Sequence, residues 1–359
     1  MGGPGSNSRP RSRAPTIADV AKRAGVSKSA VSFALNDRPG VAEDTRARIL
    51  TAAADLGWQP STRARALSHS RAYALGLVLA RDASLLGADP FFPAFIAGVE
   101  TELSALEYAL VLQVVGDDAR AESAGYVRLA RSGRVDGVFL TDLRFDDPRL
   151  ALCLELGLPA VTLGRPDQPS PFPAVCLDDR PGVGAAVRHL AELGHERIAH
   201  VAGPQPLLHG AHRRRAWEST MRKLGLEPRL LEVADFTAAG GAAATRALLA
   251  GAEPPTAIVY ANDVMAIAGL TVAHDLGLSL PDQLSIVGYD DSELAAHVHP
   301  PLTSVRSDAV GWGRAATRVL LDSLDGPHAD VDLAPASLVV RASTAGPARL
   351  HPTRHRKDQ

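Results

Sequence analysis

From about Tyr73 onwards, short apolar segments alternate with longer helical ones, and this alternation constrains the fold more than any other feature of the sequence. Seven segments have the length and apolar character of buried strands: 74–79, 109–115, 137–140, 160–163, 198–202, 257–260 and 284–288. Between them lie helical segments such as 95–106, 182–193 and 264–276. Strands that alternate with helices form parallel sheets. Because more than 200 residues follow this pattern, we expect two α/β lobes with a ligand cleft at the carboxyl ends of their strands.

The first 71 residues predict three short helices instead. Thr16 caps the first helix, which ends at Gly25, and Ser27 caps the second, while a third helix runs from about 42 to 56. Two short helices joined by a turn of about four residues, with a third that closes a small core, form a helix-turn-helix unit. The alternative is a three-helix bundle with a polar face and no role in DNA binding.

Charge is distributed unevenly along the chain, and this distribution favours the helix-turn-helix unit over the bundle without a role in DNA binding. The net charge is −2, yet residues 1–71 contain 12 Lys or Arg against five Asp or Glu, so the remaining 288 residues carry −9. A basic end on an acidic body is typical of a protein that presents one end to a polyanion. The second helix exposes Lys28, Ser29, Ser32 and Phe33 opposite its apolar face, and its N-terminus favours a phosphate group.

Several other classes of protein are disfavoured. No apolar run is long enough to cross a bilayer, and the first fifteen residues lack the apolar segment of a secretory signal, so we expect a cytoplasmic protein. Only Cys153 and Cys176 are present, which provides neither a disulfide framework nor a thiolate metal site, and no cofactor is expected. His195, Glu196 and His200 are spaced as HExxxH rather than as the zinc motif HExxH, and phosphate-binding loops and nucleophile elbows are absent. We therefore do not expect an enzyme.

The run from Thr16 to Asn36 resembles the signature of the lactose-repressor (LacI/GalR) family of transcription regulators. Residues 41–60 resemble that family's third helix and the start of the linker that follows it. The resemblance, together with the helical pattern, assigns to DNA the residues Thr16, Ser27, Lys28, Ser29, Ser32, Phe33 and Asn36. Phe33 stands where several members have arginine or histidine. An aromatic ring there can contact a thymine methyl group but cannot form a bidentate contact with guanine.

Residues 60–71 resemble the family's hinge, which folds into a helix on the operator. Ala64 and Leu67 match its minor-groove positions, and Leu67 matches the residue that inserts between the central base steps. Unstacking these bases costs a few kcal/mol, which is offset by the contacts that the bent DNA permits. From periodicity alone, an ordinary linker with one apolar residue would be the preferred interpretation.

The resemblance continues through the body of the chain in five separated motifs, at 89–92, 189–199, 262–266, 287–291 and 300–305. Carried over residue by residue, it implies effector contacts by Phe91, Phe92, Arg165, Arg213, Asn262 and Asp290. Phenyl faces cover the C–H groups of a sugar ring, while Arg, Asn and Asp bind hydroxyl groups, so the implied effector is a carbohydrate.

Each of these effector assignments has an alternative. Phe91 and Phe92 could belong to the hydrophobic core, and Asn262 and Asp290 could cap the helices that follow them. Arg213 is chosen because it lies four residues before Trp217, the aromatic residue of the family pattern, and Arg214 is the second candidate.

The predicted organisation is an all-α headpiece followed by a two-lobed α/β sensor of the periplasmic-binding-protein type. Its segments are a basic tail (1–15), the helix-turn-helix domain (16–59), the hinge (60–71), the effector-binding and dimerisation domain (72–345) and a second tail (346–359). Family tetramers use a C-terminal leucine heptad, whereas residues 349–357 are rich in charge and contain proline, so we expect a homodimer. We predict a repressor that binds double-stranded operator DNA, with no membrane partner. The alternatives are a solute-binding protein of transport, which shares the two-lobed fold, and a DNA-binding protein without an effector.

Overall fold

The computed structural model describes residues 15–35, 39–58 and 71–347, and the chain divides into two compact units at the bond between residues 71 and 72. The first unit contains the three predicted helices, α1 (Ile17–Ala24), α2 (Lys28–Leu35) and α3 (Glu43–Asp55). The backbone N–H of Thr16 donates to the Asp19 carboxylate at 2.8 Å and caps α1, which ends at a glycine with a φ of +69°.

Small and β-branched residues form the core of this unit, so its three helices can approach each other closely. These residues are Val20, Ala21, Val31, Ala34, Ile49, Ala52 and Ala53. Arg46 of α3 donates from Nη1 to the carbonyl oxygen of Ala34 at 2.8 Å, which fixes α3 against the end of α2. The polar face of α2 is thereby left outward.

The second unit contains twelve strands and nine α-helices within its described residues. The strands are β1 (Ala74–Leu79), β2 (Ala109–Val114), β3 (Gly137–Leu140), β4 (Ala160–Leu163), β5 (Ala174–Cys176), β6 (Ile198–Ala202), β7 (Leu231–Val233), β8 (Ala257–Tyr260), β9 (Ser285–Asp290), β10 (Thr303–Arg306), β11 (Val331–Asp332) and β12 (Ser337–Val339). The helices are α4 (Ala83–Ala88), α5 (Phe91–Ala105), α6 (Ala119–Arg131), α7 (Pro148–Glu155), α8 (Arg180–Glu192), α9 (Leu208–Lys223), α10 (Ala238–Leu249), α11 (Asp263–Asp275) and α12 (Ala309–Ser323), with a 3₁₀ turn at Glu293–Ala296.

The strands form two six-stranded sheets, one in each lobe, as predicted. The first has the order β11-β5-β4-β3-β1-β2 and is parallel throughout, whereas the second has the order β12-β10-β9-β8-β6-β7, in which β12 alone is antiparallel. The chain crosses between the lobes after β5, after β10 and after β11. The carboxyl ends of the central strands therefore face the cleft between the lobes, where open α/β sheets bind ligands.

Two boundaries differ from the prediction in ways that affect the cleft. Helix α5 begins at Phe91 rather than at Phe95, because Pro93 is accommodated in the first turn, where a missing backbone N–H costs nothing. Strand β9 extends two residues beyond Gly288 and ends at Asp290, which has a φ of +111°. Within the described residues, no helix combines the length and apolar character needed to cross a membrane.

The two lobes also contact each other directly, in what we call the interlobe contact. Leu208, the first residue of α9 in the second lobe, donates from its backbone N–H to the carbonyl oxygen of Leu143 in the first lobe at 2.8 Å. Its neighbour Leu207 pairs with Arg144 as an antiparallel β-bridge. The Leu208 side chain is buried in a hydrophobic cluster of the first lobe that includes Leu143 and Leu150. One leucine of the second lobe therefore completes a core of the first.

Candidate functional site

Four of the nine residues predicted to contact DNA are exposed at the start or on the outward face of α2. Ser27, Lys28 and Ser29 are exposed at its start, and Phe33 follows with 39% of its surface exposed. The Ser27 hydroxyl accepts a hydrogen bond from the backbone N–H of Ala30 at 3.1 Å and thus caps the helix. An exposed phenyl ring beside a cationic and two hydroxyl side chains is suited to base edges and phosphates together.

The other predicted DNA contacts stand differently. Ser32 is half-buried on α2, and the Thr16 hydroxyl donates to the Asp19 carboxylate at 2.6 Å as part of the cap of α1. Asn36, Ala64 and Leu67 lie outside the described residues.

A cavity lies between the two lobes of the sensor, at the carboxyl ends of the strands. It is lined by Arg81, Asp89, Phe91, Thr141, Asp142, Leu163, Asp179, His209, Arg213, Phe236, Asn262, Asp290 and Trp312. Four of the six predicted effector residues are in this set, namely Phe91, Arg213, Asn262 and Asp290.

Arg213 reaches the cavity from α9 and is held on several sides. Its Nε donates to the Asp179 carboxylate at 2.9 Å and its Nη1 to the carbonyl oxygen of Ala261 at 2.8 Å. Its guanidinium carbon lies 3.5 Å from the centre of the Tyr289 ring, whose hydroxyl donates to the same carboxylate. Burial alone would lower the pKa of Arg213, but the charge of Asp179 raises it above its usual value. Arg214, by contrast, pairs with Glu218 at 2.8 Å and does not line the cavity.

A second guanidinium group, that of Arg81, comes from the segment after β1. It forms a bidentate pair with Asp142, at 2.6 and 2.7 Å, and contacts Asp89 at 3.3 Å. Burial alone would raise the pKa of Asp142, but the charge and hydrogen bonds of Arg81 lower it to about 2. The pKa of Asp89 is raised by burial, which its longer contact with Arg81 only partly offsets.

Asp290 differs from the other three carboxylates of the cavity, because its side chain forms no hydrogen bond or ion pair with any described residue. Burial raises its pKa well above the usual value, and the attraction of Arg213 opposes this shift. Asn262 is used twice by the protein: its Oδ1 accepts from the N–H of Met265 and its Nδ2 donates to the carbonyl oxygen of Phe236. It therefore caps α11 and lines the cavity at once.

Aromatic side chains form much of the remaining wall. Phe91 packs edge-to-face on Trp312 with ring centres 5.8 Å apart, and His209 stacks on Phe236 at 5.5 Å. Burial lowers the pKa of His209 to about 4, so its ring is neutral at neutral pH. Neither this ring nor the hydroxyl of Thr141 forms a hydrogen bond within the described part of the chain, so both can bind a ligand.

Phe92 and Arg165 do not line this cavity. Phe92 is 1% exposed and belongs to the hydrophobic core of the first lobe, the alternative that the sequence left open. Arg165 keeps 56% of its side chain exposed, pairs with Asp330 and lies 3.2 Å from Asp332. The guanidinium group of Arg165 is therefore already paired with these two carboxylates, at the outer edge of the cleft.

Sequence reasoning missed several lining residues: Arg81, Asp89, Asp142, Asp179, His209, Phe236 and Trp312. The position of Asp142, two residues beyond the end of the buried parallel strand β3, is a signal that could have identified it. Phe236 lies in the loop after β7 and His209 is the second residue of α9, and only the tertiary structure brings them together.

Comparisons with known proteins agree with both halves of this description. A model of the lacI family of bacterial regulatory proteins matches residues 16–61, and a periplasmic binding protein-like domain matches residues 187–344. The transcriptional regulator CelR of Thermobifida fusca is 35% identical over 323 residues, covering 88% of this chain and 94% of CelR. The chain belongs to the LacI family. It is a helix-turn-helix transcriptional regulator that binds DNA.

A further relative and two solved structures are similar over most of the chain. The repressor CytR of Escherichia coli K12 is 32% identical, covering 92% of this chain and 96% of CytR. A structure of a CelR–cellobiose complex is 34% identical with a TM-score of 0.71, covering 92% of this chain and 99% of that one. The lac repressor dimer bound to operator and the anti-inducer ONPF is 27% identical with a TM-score of 0.81, covering 93% and 100%.

Proposed function

We propose that this regulator is a cytoplasmic homodimeric repressor whose affinity for a pseudo-palindromic operator changes when a carbohydrate binds between the lobes of its sensor. One headpiece reads only a few base pairs, so two heads related by a two-fold axis are needed for useful specificity. The observation that carries the carbohydrate assignment is the cavity itself, in which aromatic faces stand beside polar groups that have free hydrogen-bonding capacity.

In the headpiece, each exposed group of α2 has a role in this proposal. Lys28 contacts a phosphate or a base edge, Ser29 contributes a hydroxyl contact, and Phe33 packs on a thymine methyl group. Ser27, Ser32 and Thr16 position the helix or contact the backbone of the DNA, and Asn36, Ala64 and Leu67 remain assigned on the family resemblance alone. This division follows the general rule that phosphate contacts set the register and base contacts set the sequence.

In the sensor, the polar groups that the protein leaves free define the binding set. Asp290 accepts hydrogen bonds from sugar hydroxyl groups, and the unoccupied Nη2 of Arg213 donates one. Phe91 and Phe236 cover the C–H faces of the ring. We leave Phe92 and Arg165 out of the proposed set, because one lies in the core and the other is already paired at the outer edge.

CelR in complex with cellobiose supports a carbohydrate as the first class of effector to test. Purified full-length protein would be used to select binding sites from random duplex DNA, and its thermal unfolding would be followed with cellobiose, glucose and other neutral sugars. We expect an enriched pseudo-palindrome and a raised melting temperature with at least one sugar. Failure of the protein to bind any duplex at low ionic strength would refute the proposal that it regulates transcription at an operator. Firm operator binding without any sugar effect would support a regulator that has no carbohydrate effector.

A further inference from the structure

The backbone has a strained conformation where the chain enters the sensor, directly after the residues assigned to the hinge. Tyr73 has a φ of +54°, in the left-handed region that aromatic residues rarely adopt because the side chain crowds the backbone. Such a conformation costs free energy and persists only where the surrounding structure enforces it. Strained residues of this kind cluster at functional sites, so the contacts that hold Tyr73 identify a candidate site.

A set of backbone hydrogen bonds to Asp136, which we call the Asp136 clamp, enforces this conformation. The Asp136 carboxylate accepts from the backbone N–H of Ala72 at 2.6 Å and from that of Tyr73 at 2.8 Å. The backbone N–H of Asp136 donates in turn to the carbonyl oxygen of Ala74 at 2.7 Å. One half-buried aspartate therefore fixes three consecutive residues at the start of the sensor.

The clamp is attached to the centre of the first lobe. The carbonyl oxygen of Tyr73 accepts from the backbone N–H of Ala109 at 3.0 Å, and its ring packs edge-to-face on that of Tyr108 with centres 5.3 Å apart. The strands that begin at the clamp, β1 and β3, are buried throughout and pair in parallel, with Leu75 opposite Gly137. Because close-packed strands do not deform easily, the clamp holds the chain against a rigid support.

We propose that Asp136 is a positioning residue for operator binding, which fixes the direction in which the hinge leaves the sensor. This inference rests on the proposed operator binding and on the assignment of residues 60–71 as the hinge. With the clamp in place, the chain enters the sensor in one conformation, so the hinge starts from a fixed point when the headpiece binds DNA. Without the clamp, Ala72 and Tyr73 would sample several backbone conformations, and this freedom would be lost again on binding.

The test is Asp136→Asn in the full-length protein, with the affinity for the selected operator measured by fluorescence anisotropy. The asparagine amide offers an acceptor to one of the two backbone N–H groups and places a donor against the other. We expect operator binding to weaken at least about tenfold, because the freed residues must be ordered on binding. The substitution also removes a negative charge, which by itself would tighten DNA binding, so the expected change is opposite in sign to the electrostatic one.

Asp118→Asn is the matched control. Asp118 belongs to the same lobe, and its carboxylate also accepts a backbone N–H, that of Arg120 at 2.8 Å. It caps α6 beyond the carboxyl end of β2, whereas the Asp136 clamp lies at the amino ends of β1 and β3. Both variants therefore lose one negative charge and a carboxylate–backbone contact, but only one of them loses the clamp. Operator affinity should not weaken in the control, and equal affinities of the two variants would overturn the inference.

Binding to a duplex of unrelated sequence separates positioning from a loss of folded protein. Nonspecific binding depends on phosphate contacts and not on a fixed register, so its affinity should be the same for Asp136→Asn and Asp118→Asn. A loss of folded protein would lower specific and nonspecific binding by the same factor, and that result would overturn the inference.

Amide hydrogen exchange of the unaltered protein tests the clamp without any substitution. The amides of Ala72 and Tyr73 should be protected both with and without operator, because the carboxylate of Asp136 holds them in either case. Exchange of both amides at the rate of an unstructured chain would overturn the inference. If the unaltered protein binds no operator, the proposed function fails, and the inference fails with it.

Discussion

Replacing Leu208 with alanine tests whether the interlobe contact holds the cleft closed. Leu208 belongs to the second lobe, but its side chain is 4% exposed and lies in a core cluster of the first lobe. The substitution removes three carbon atoms at about 0.8 kcal/mol each, or about 2.4 kcal/mol in total. The side chain leaves this cluster when the lobes separate. The substitution therefore destabilises the closed state relative to the open state by the burial free energy that is lost. An effector that binds the closed state should therefore bind up to about 60-fold more weakly.

Leu150→Ala is the matched control for this experiment. Leu150 is 3% exposed in the same cluster, but it belongs to α7 of the first lobe and stays there whether the cleft is open or closed. It should lower the free energy of unfolding by about 2–5 kcal/mol with little effect on sugar affinity. Calorimetry with the tightest-binding neutral sugar measures the sugar affinity of each variant. Small-angle scattering of the ligand-free protein measures how far the lobes separate. The reasoning is refuted if Leu208→Ala weakens binding no more than Leu150→Ala and leaves the radius of gyration unchanged.

Further predictions concern the headpiece, the buried ion pairs and the response to acid. Lys28→Ala should reduce the salt slope of operator binding by about one, measured by fluorescence anisotropy across a salt series, and an unchanged slope would exclude a phosphate contact. Phe33→Ala should relax the preference at one A·T pair of each half-site in a selection experiment, whereas an unaltered selected sequence would count against a base contact. Asp142→Asn leaves the buried Arg81 without its bidentate partner and should cost about 3–5 kcal/mol of unfolding free energy in urea titrations; a cost below 1 kcal/mol would contradict this. Burial lowers the pKa of His200 to about 4 from its usual 6.5, so the stability linked to it is fully present above pH 6.5 and is lost as the pH falls towards 4. His200→Gln should therefore flatten this acid loss by up to about 3 kcal/mol in pH-dependent unfolding, and an unaltered slope would show that the group does not titrate in this way.

The fold could largely be predicted, because buried parallel strands are almost continuously apolar and the helices between them have a different period. All seven predicted strands are present, six of them within one residue of the predicted bounds. Five strands were missed. One of them, β10 (Thr303–Arg306), has four residues, and the other four are only two or three residues long: β5 (Ala174–Cys176), β7 (Leu231–Val233), β11 (Val331–Asp332) and β12 (Ser337–Val339). Such segments have too few residues for a pattern to develop, and they become strands only because a neighbouring strand supplies their hydrogen bonds.

The binding residues were harder to predict, and Phe91 and Phe92 show why. Successive residues on a helix point about 100° apart, so one of these rings can face the cavity while the other faces the core. Which ring does so depends on where α5 begins, and the sequence placed that point four residues too late. The role of Arg165 could not be predicted, because it depends on a contact between distant parts of the chain. Its partner Asp330 is distant in sequence and reaches it only through the pairing of β11 with β5.

The central claim is that occupancy of the cavity and operator binding are coupled, and reciprocal titrations measure this coupling directly. Operator affinity would be measured with and without the tightest-binding sugar, and sugar affinity with and without the selected operator, in one buffer. The account predicts the same factor in both directions, between about 5-fold and 150-fold, because the coupling free energy is a single quantity. A factor of one in both titrations would contradict the account, since DNA and sugar would then bind the same protein independently.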